Sequence, residues 1–407
     1  MKQCIRIGIR HNLIYLLMLI IFNFLRKVDL IVLDKVFDFN SSIIFVIFMF
    51  LGEFFAGLII SIYQASFFTR KKNNTTTDKK LITNHLSIQS RDSTFKIFLL
   101  LFICSLFDFI EFLISTYYIP KFEYISKTLE IRLSSFLTLS AALFFIYVLK
   151  FQIYKHQIFS LLIILACLLI IAISEYFFQH FDDERTEKDF FTALFSILVV
   201  HFFNSLLDSL EKYILEYDSV NPFKALMFEG LFGTILSIIY LFISGNHFQE
   251  IKENFDNNKN NIIKLMILII CLFLYLLLCG IRNAYRVATN KIYSPMAKIL
   301  TDYILNPFYI IHYFINEDDF ISGKENTQNI YYFILNLIVS IIISFCGCIY
   351  NEFLVLFCYN LEYDTHSQVS KRAEILEDIE FDECIRDDSS DEDADEENGN
   401  KSNQKDS

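Results

Sequence analysis

The sequence predicts an all-α membrane protein: ten transmembrane helices arranged as two inverted five-helix repeats. Ten apolar stretches approach the ~20 residues that a helix needs to cross ~30 Å of hydrocarbon, and an acidic segment at 178–189 divides them five and five. Only 4 prolines interrupt 407 residues that are 54% apolar, with a mean hydropathy of +0.42, which favours continuous helices over a soluble core. With an odd number of crossings per half, a duplicated half enters the membrane upside down relative to the first, as in many carriers.

Taken in order, the first stretch, 13–24, is short and lies between Arg10 and Arg26. It reads as a span, an uncleaved signal anchor or an interfacial helix, and no small-residue processing site follows it. The second, 42–67, precedes a polar loop at 68–94 that holds Arg70, Lys71, Lys72, Lys79, Lys80 and Arg91. Stretches 95–117, 134–148 and 158–177 complete the first repeat, residues 1–177. Beyond the inter-repeat loop 178–189, the second repeat, 190–358, comprises 191–210, 222–244, 262–279, 296–314 and 330–357.

Residues 359–407 form a tail, and from 373 onward it carries 15 acidic against 3 basic residues. The remaining 32 acidic and 32 basic residues cancel, so the net charge of -12 belongs to the tail. Such a segment cannot bury apolar surface and is expected to be disordered. It acts either as a solvated extension or as a target for an acidophilic kinase at Ser389 and Ser390, with a cytosolic partner open to it.

Lys2, Arg6, Arg10 and the basic loop after the second stretch belong on the cytosolic side, which puts both termini in the cytosol. An endomembrane (Golgi, ER or lysosome/vacuole) is expected ahead of the plasma membrane. The chain has no Gly-rich phosphate loop ending in Gly-Lys-Ser or Gly-Lys-Thr, which excludes a P-loop ATPase. Its basic residues follow topology without an aromatic platform, so no nucleic acid is expected as a partner. Cys104, Cys167, Cys271, Cys279, Cys346 and Cys348 lie within spans as small apolar groups; no metal site, cofactor or enzymatic motif is expected.

Charged groups at bilayer depth cost about 2.5–3.5 kcal/mol each on insertion scales and normally face a cavity or a partner. In the third stretch Cys104, Asp108, Glu111 and Ser115 fall on one helical face. Asp108 and Glu111 are candidates for a proton or cation site, or for pairing with Arg282 and Arg286, which lie one turn apart on the eighth stretch with Asn290 continuing their stripe. Those arginines are equally open to snorkelling or to clamping an anionic solute.

The sixth stretch repeats the theme with His201, Asn204, Asp208 and Glu211. His201 is either a packed core histidine or a proton shuttle, and solvation at the cytosolic end accounts for Asp208 and Glu211. Glu53 beside Gly52 and Glu229 beside Gly230 occupy similar places in the two halves, and a shift of 177 residues sets Asp34-Lys35 against Glu211-Lys212, a faint internal repeat. Gly230 and Gly233 offer a face for close helix packing. Asp302 and Asn351 are further candidates to line a cavity, and Pro307 is expected to free a carbonyl inside the ninth stretch.

Glu211, Lys212 and Tyr213, followed by Val220, Pro222 and the string EGLFG at 229–233, resemble solute carrier family 35, subfamily F, of the drug/metabolite transporter (EamA-like) superfamily. KIYSPMAKILTD at 291–302 is similar to that family's ninth span, and Ile349, Tyr350 and Asn351 to its closing Tyr-Asn. These patches cover about a third of the chain, all in the second half. Where the family often carries an Arg after the ninth-span Asp, this chain has Tyr303, Ile304, Leu305 and Asn306. The resemblance implies two inverted five-helix repeats around a central cavity and movement of a small organic solute, such as a nucleotide sugar or another metabolite, by alternating access.

The expectation is therefore a secondary transporter among membrane lipids, with a small-molecule solute as its partner and a homodimer left open. The alternative is a non-transporting scaffold or receptor whose acidic tail binds a partner.

Overall fold

The computed structural model describes residues 5–7, 13–37, 39, 41–74, 91–115, 129–147, 153–178, 187–216, 218, 220–243, 246–258, 262–293, 295–316 and 326–356. These are almost wholly helical. In chain order the helices are α1 (Leu13–Phe37), α2 (Ser42–Asn74), α3 (Arg91–Leu113), α4 (Leu129–Leu133), α5 (Phe136–Tyr147), α6 (Lys155–Phe178), α7 (Glu187–Glu216), α8 (Pro222–Ile243), α9 (Asn246–Asn258), α10 (Ile262–Ile292), α11 (Pro295–Asn316) and α12 (Asn326–Tyr350). Two short strands, β1 (Ile5–Ile7) and β2 (Leu354–Leu356), pair antiparallel.

Six helices, α2, α6, α7, α8, α10 and α12, are long and apolar enough to cross a membrane by length and composition. Helices α1, α3 and α11 reach spanning length at 25, 23 and 22 residues but carry charged side chains within their apolar runs. The outward face is greasy: Ile59, Ile62, Phe195, Phe242, Ile262 and Phe273 are among many large apolar residues more than half exposed. A surface of that kind is unsustainable in water and is the expected solvent-facing surface in lipid, where helices satisfy their own backbone groups. The chain is an integral membrane protein of the all-α class.

Local sequence explains the element ends. Asn221 caps α8 by accepting the Phe223 N–H at 2.9 Å, and Pro222 takes the first helical position, where its missing N–H is no loss. Helix α2 packs between α8 and α10, and glycines allow the approach. A Cβ on Gly52 would lie 2.4 Å from the Leu276 carbonyl oxygen, and one on Gly230 would lie 2.4 Å from the Phe54 nitrogen. Gly233 sits under the Phe50 ring. Gly230 and Gly233 thus both lie against α2. Elsewhere α1 packs on α10 and α11, α3 on α7 and α8, α5 on α6 and α7, and α12 on α6 and α11.

Several expected boundaries are corrected. Helix α1 runs on to Phe37, so Arg26 and Lys27 lie inside it rather than flanking it; Leu33 and Phe37 bury against Leu268, Leu272 and Tyr275 of α10, extending the helix past its apolar stretch. Helix α10 continues from Cys279 to Ile292, carrying Arg282, Arg286 and Asn290 in helix. The last helix stops at Tyr350 instead of 357, because Glu352 adopts φ 60°, a left-handed turn that ends the helix before β2.

Helix α9 was not anticipated. Ile251 and Phe255 pack it on the α1–α2 corner, and the Asn258 side chain donates to the Phe37 carbonyl at 2.9 Å. Most of the loop 68–94, most of the loop 178–189 and the acidic tail with Ser389 and Ser390 lie outside the described residues.

Candidate functional site

The polar stripes predicted on α3 and α7 turn inward and meet those of α1, α2, α10 and α11 around a cavity of about 300 Å³. Its charged lining is contributed by Arg26 and Lys27 of α1, Glu53 of α2, Asp108 and Glu111 of α3, Arg282 and Arg286 of α10, and Lys298 and Asp302 of α11. Asn204 of α7, Asn283 of α10 and Ser115 also border it. Seven of the candidate residues are therefore brought together: Glu53, Asp108, Glu111, Asn204, Arg282, Arg286 and Asp302.

Neutral amides hold the acids. Asn283 donates to Glu53 Oε1 at 2.5 Å, Asn204 to Glu111 Oε1 at 3.1 Å and Asn23 to Asp302 Oδ1 at 2.8 Å. The second oxygen of Glu53 is buried and accepts no hydrogen bond from any described residue. Asp108 accepts no hydrogen bond from any described residue and lines the cavity.

Behind this layer lies a dry ionic knot. Arg286 places NH1 3.6 Å from Glu211 and 4.0 Å from Asp208, and NH2 3.5 Å from Glu229. Lys298 donates to Asp208, and Asn290 donates to Glu211 Oε2 at 2.8 Å. Asp208 and Glu211 are completely buried. This corrects the expectation that solvation at the cytosolic end accounts for them: the bundle closes over that turn of α7, and cations from α10 and α11 replace water. Left ionised without such partners, a carboxylate with no exposed surface would cost several kcal/mol. Nor do Arg282 and Arg286 pair with Asp108 and Glu111, as the sequence allowed. Arg286 is taken by the knot, and Arg282 donates to Asn283 Oδ1 at 2.6 Å.

The other candidates have structural contacts. His201 Nε2 lies 3.1 Å from the Glu130 carbonyl oxygen. Glu229 belongs to the knot, outside the lining. Asn351 does not line the cavity; just past α12, it donates to the Met296 and Gly347 carbonyls at 3.2 and 2.9 Å and ties that end of the bundle to the start of α11. The carbonyl freed by Pro307, that of Tyr303, accepts the Ser344 hydroxyl of α12 at 2.6 Å.

Four residues that matter were missed: Arg26, Lys27, Asn283 and Lys298. For Lys298 a signal existed, since it precedes Asp302 by one turn on α11. Lys212, read only as part of a motif, donates to the Asn290 and Lys291 carbonyls at 2.9 and 3.2 Å and so caps the C-terminus of α10. Among the described residues no group of three or more His, Cys, Asp or Glu side chains could hold a metal ion. The chain matches no protein-family model and no curated protein sequence.

Proposed function

We propose that this protein is a secondary carrier that moves a small organic solute across an endomembrane by alternating access. The observation that carries this reading is the cavity: nine ionisable side chains from five helices border one space of about 300 Å³ inside an apolar bundle. Placing that many charges inside the bundle of a membrane protein is expensive, and such groups ordinarily serve a solute or ion path. The volume lies at the low end of the range of ligand pockets, about 300–1,000 Å³.

The helix pairing supports two repeats. Let α1, α2, α3, α5 and α6 correspond to α7, α8, α10, α11 and α12. The α2–α10 contact then maps onto α8–α3, α1–α10 onto α7–α3, α11–α12 onto α5–α6, and α5–α7 onto α11–α1, while α2–α8, α5–α11 and α6–α12 map onto themselves. Ten helices exchanged in this way fit two five-helix halves of opposite polarity, with the cavity where the halves meet. The ionic knot closes the side where α7 ends and α11 begins, which we take as cytosolic from the basic loop residues. The similarity to solute carrier family 35, subfamily F, at 211–222, 229–233 and 291–302 points the same way.

The test is reconstitution of the purified protein in liposomes and measurement of uptake of nucleotide sugars, amines, amino acids and drugs, with and without a pH gradient. Uptake of at least one class above protein-free vesicles is expected, and it persists when residues 373–407 are removed. No uptake across the panel overturns the carrier reading.

A further inference from the structure

The cavity is lined by charges of both signs. Arg26, Lys27 and Arg282, from α1 and α10, make no ion pair among the described residues. The buried Nε atoms of both arginines have no hydrogen-bond partner among the described residues, and the Lys27 ammonium lies over the Tyr309 ring at 5.8 Å. Asp302 is the acid beside them, and Asn23 tethers it. Asp108, Glu111 and Glu53 also lack ion pairs among the described residues: the nearby cations Arg286 and Lys298 are already engaged by Asp208, Glu211 and Glu229, and Arg282 acts on Asp108 and Glu53 electrostatically without pairing with either. The lining thus holds both cations and carboxylates that stand outside any ion pair among the described residues.

Charges of both signs that line one cavity with no ion pair between them among the described residues mark the outline of a molecule that carries both. We infer that the solute is dipolar: a carboxylate or phosphoryl group docks on Arg26, Lys27 and Arg282, and an ammonium docks on Asp108, Glu111 and Glu53. Guanidinium groups with idle N–H donors suit a bidentate oxyanion, and Glu53 Oε2 is an idle acceptor for an ammonium N–H. This inference rests on the carrier reading for its biological meaning, but it concerns binding and stands or falls separately.

The experiment uses the full chain in detergent, with thermal melting and equilibrium dialysis. The probes are ω-amino carboxylates and ω-aminoalkyl phosphonates of increasing chain length, which separate the two oxyanion chemistries. Alkyl carboxylates, alkyl phosphonates and alkylamines of equal length are the single-charge controls. At least one dipolar probe raises the melting temperature and binds at least tenfold more tightly than either control.

Arg282→Gln and Asp108→Asn each weaken that probe at least tenfold, while Arg282→Gln spares the amine and Asp108→Asn spares the anion. Failure of every dipolar probe, or a control that binds as tightly as its dipolar parent, overturns the inference. Dipolar binding without flux in liposomes would sink the carrier reading instead, and flux of a singly charged solute only would sink this inference and leave the carrier.

Discussion

Lys298 on α11 reaches both carboxylate oxygens of Asp208 on α7, at 2.6 and 2.8 Å, and Asp208 has no exposed surface. The two residues are ninety positions apart, and their contact joins the start of one helix to the middle of another beside the cavity. Breaking such a pair strands a buried charge, which costs about 3–5 kcal/mol. Asp208→Asn and Lys298→Met are therefore each expected to lower unfolding stability in detergent by about that amount. The double variant Asp208→Leu with Lys298→Met recovers much of the loss, and a double-mutant cycle measures the coupling.

Glycine packing gives a contrast within one protein. Alanine at Gly52 or Gly280 sets a methyl against backbone, 2.4 Å from the Leu276 oxygen and 2.5 Å from the Gly52 oxygen respectively, and α2 and α10 must part. Each is expected to cost about 1–3 kcal/mol, the usual range for overpacking. At Gly347 the nearest atoms, at 2.9 Å, are side-chain carbons of Leu300 and Tyr303 rather than backbone, so Gly347→Ala is expected to cost less than either and to melt closer to the wild-type temperature.

Arg286 faces three carboxylates from two other helices with two separate nitrogens. A lysine has one point of charge and no fork. Arg286→Lys is expected to reduce solute uptake by at least about tenfold, equivalent to about 1.4 kcal/mol, and to lower the melting temperature. Uptake at the wild-type rate would remove Arg286 from the transport path.

The proposed halves predict a labelling pattern. Single cysteines placed in the connections at 38–41, 179–186 and 317–325 should all react from one face of sealed vesicles, and those at 148–152, 217–221 and 293–294 from the other. A mixed pattern within either set is incompatible with two five-helix units of opposite polarity.

The stripe of Asp108 and Glu111 was legible because helical period alone sets both on one face, and local spacing needs no tertiary knowledge. Arg26 was not, because the apolar run ends at Phe24 and only burial of Leu33 and Phe37 against α10 carries the helix onward. The state of Asp208 depended on Lys298 and Arg286, which a linear reading cannot bring into contact, so solvation looked sufficient. Helix α9 was hidden by its polarity: His247, Ile251, Phe255 and Asn258 form one narrow face in an otherwise hydrophilic segment. Asn351 looked like a polar intrusion into a span because the left-handed turn at Glu352 is not written in any residue type that favours it.

The Ser344 hydroxyl has one proton and two carbonyls to give it to, that of Tyr303 at 2.6 Å and that of Ser340 on its own helix at 2.9 Å. With Pro307 having removed the usual backbone donor, the joint in α11 is fastened by a latch that always has somewhere else to go. The stretch of α11 bearing Lys298 and Asp302 is thus joined to α12 through a hydroxyl whose second acceptor lies on α12 itself, so parting the two helices at Ser344 would leave that hydroxyl bonded.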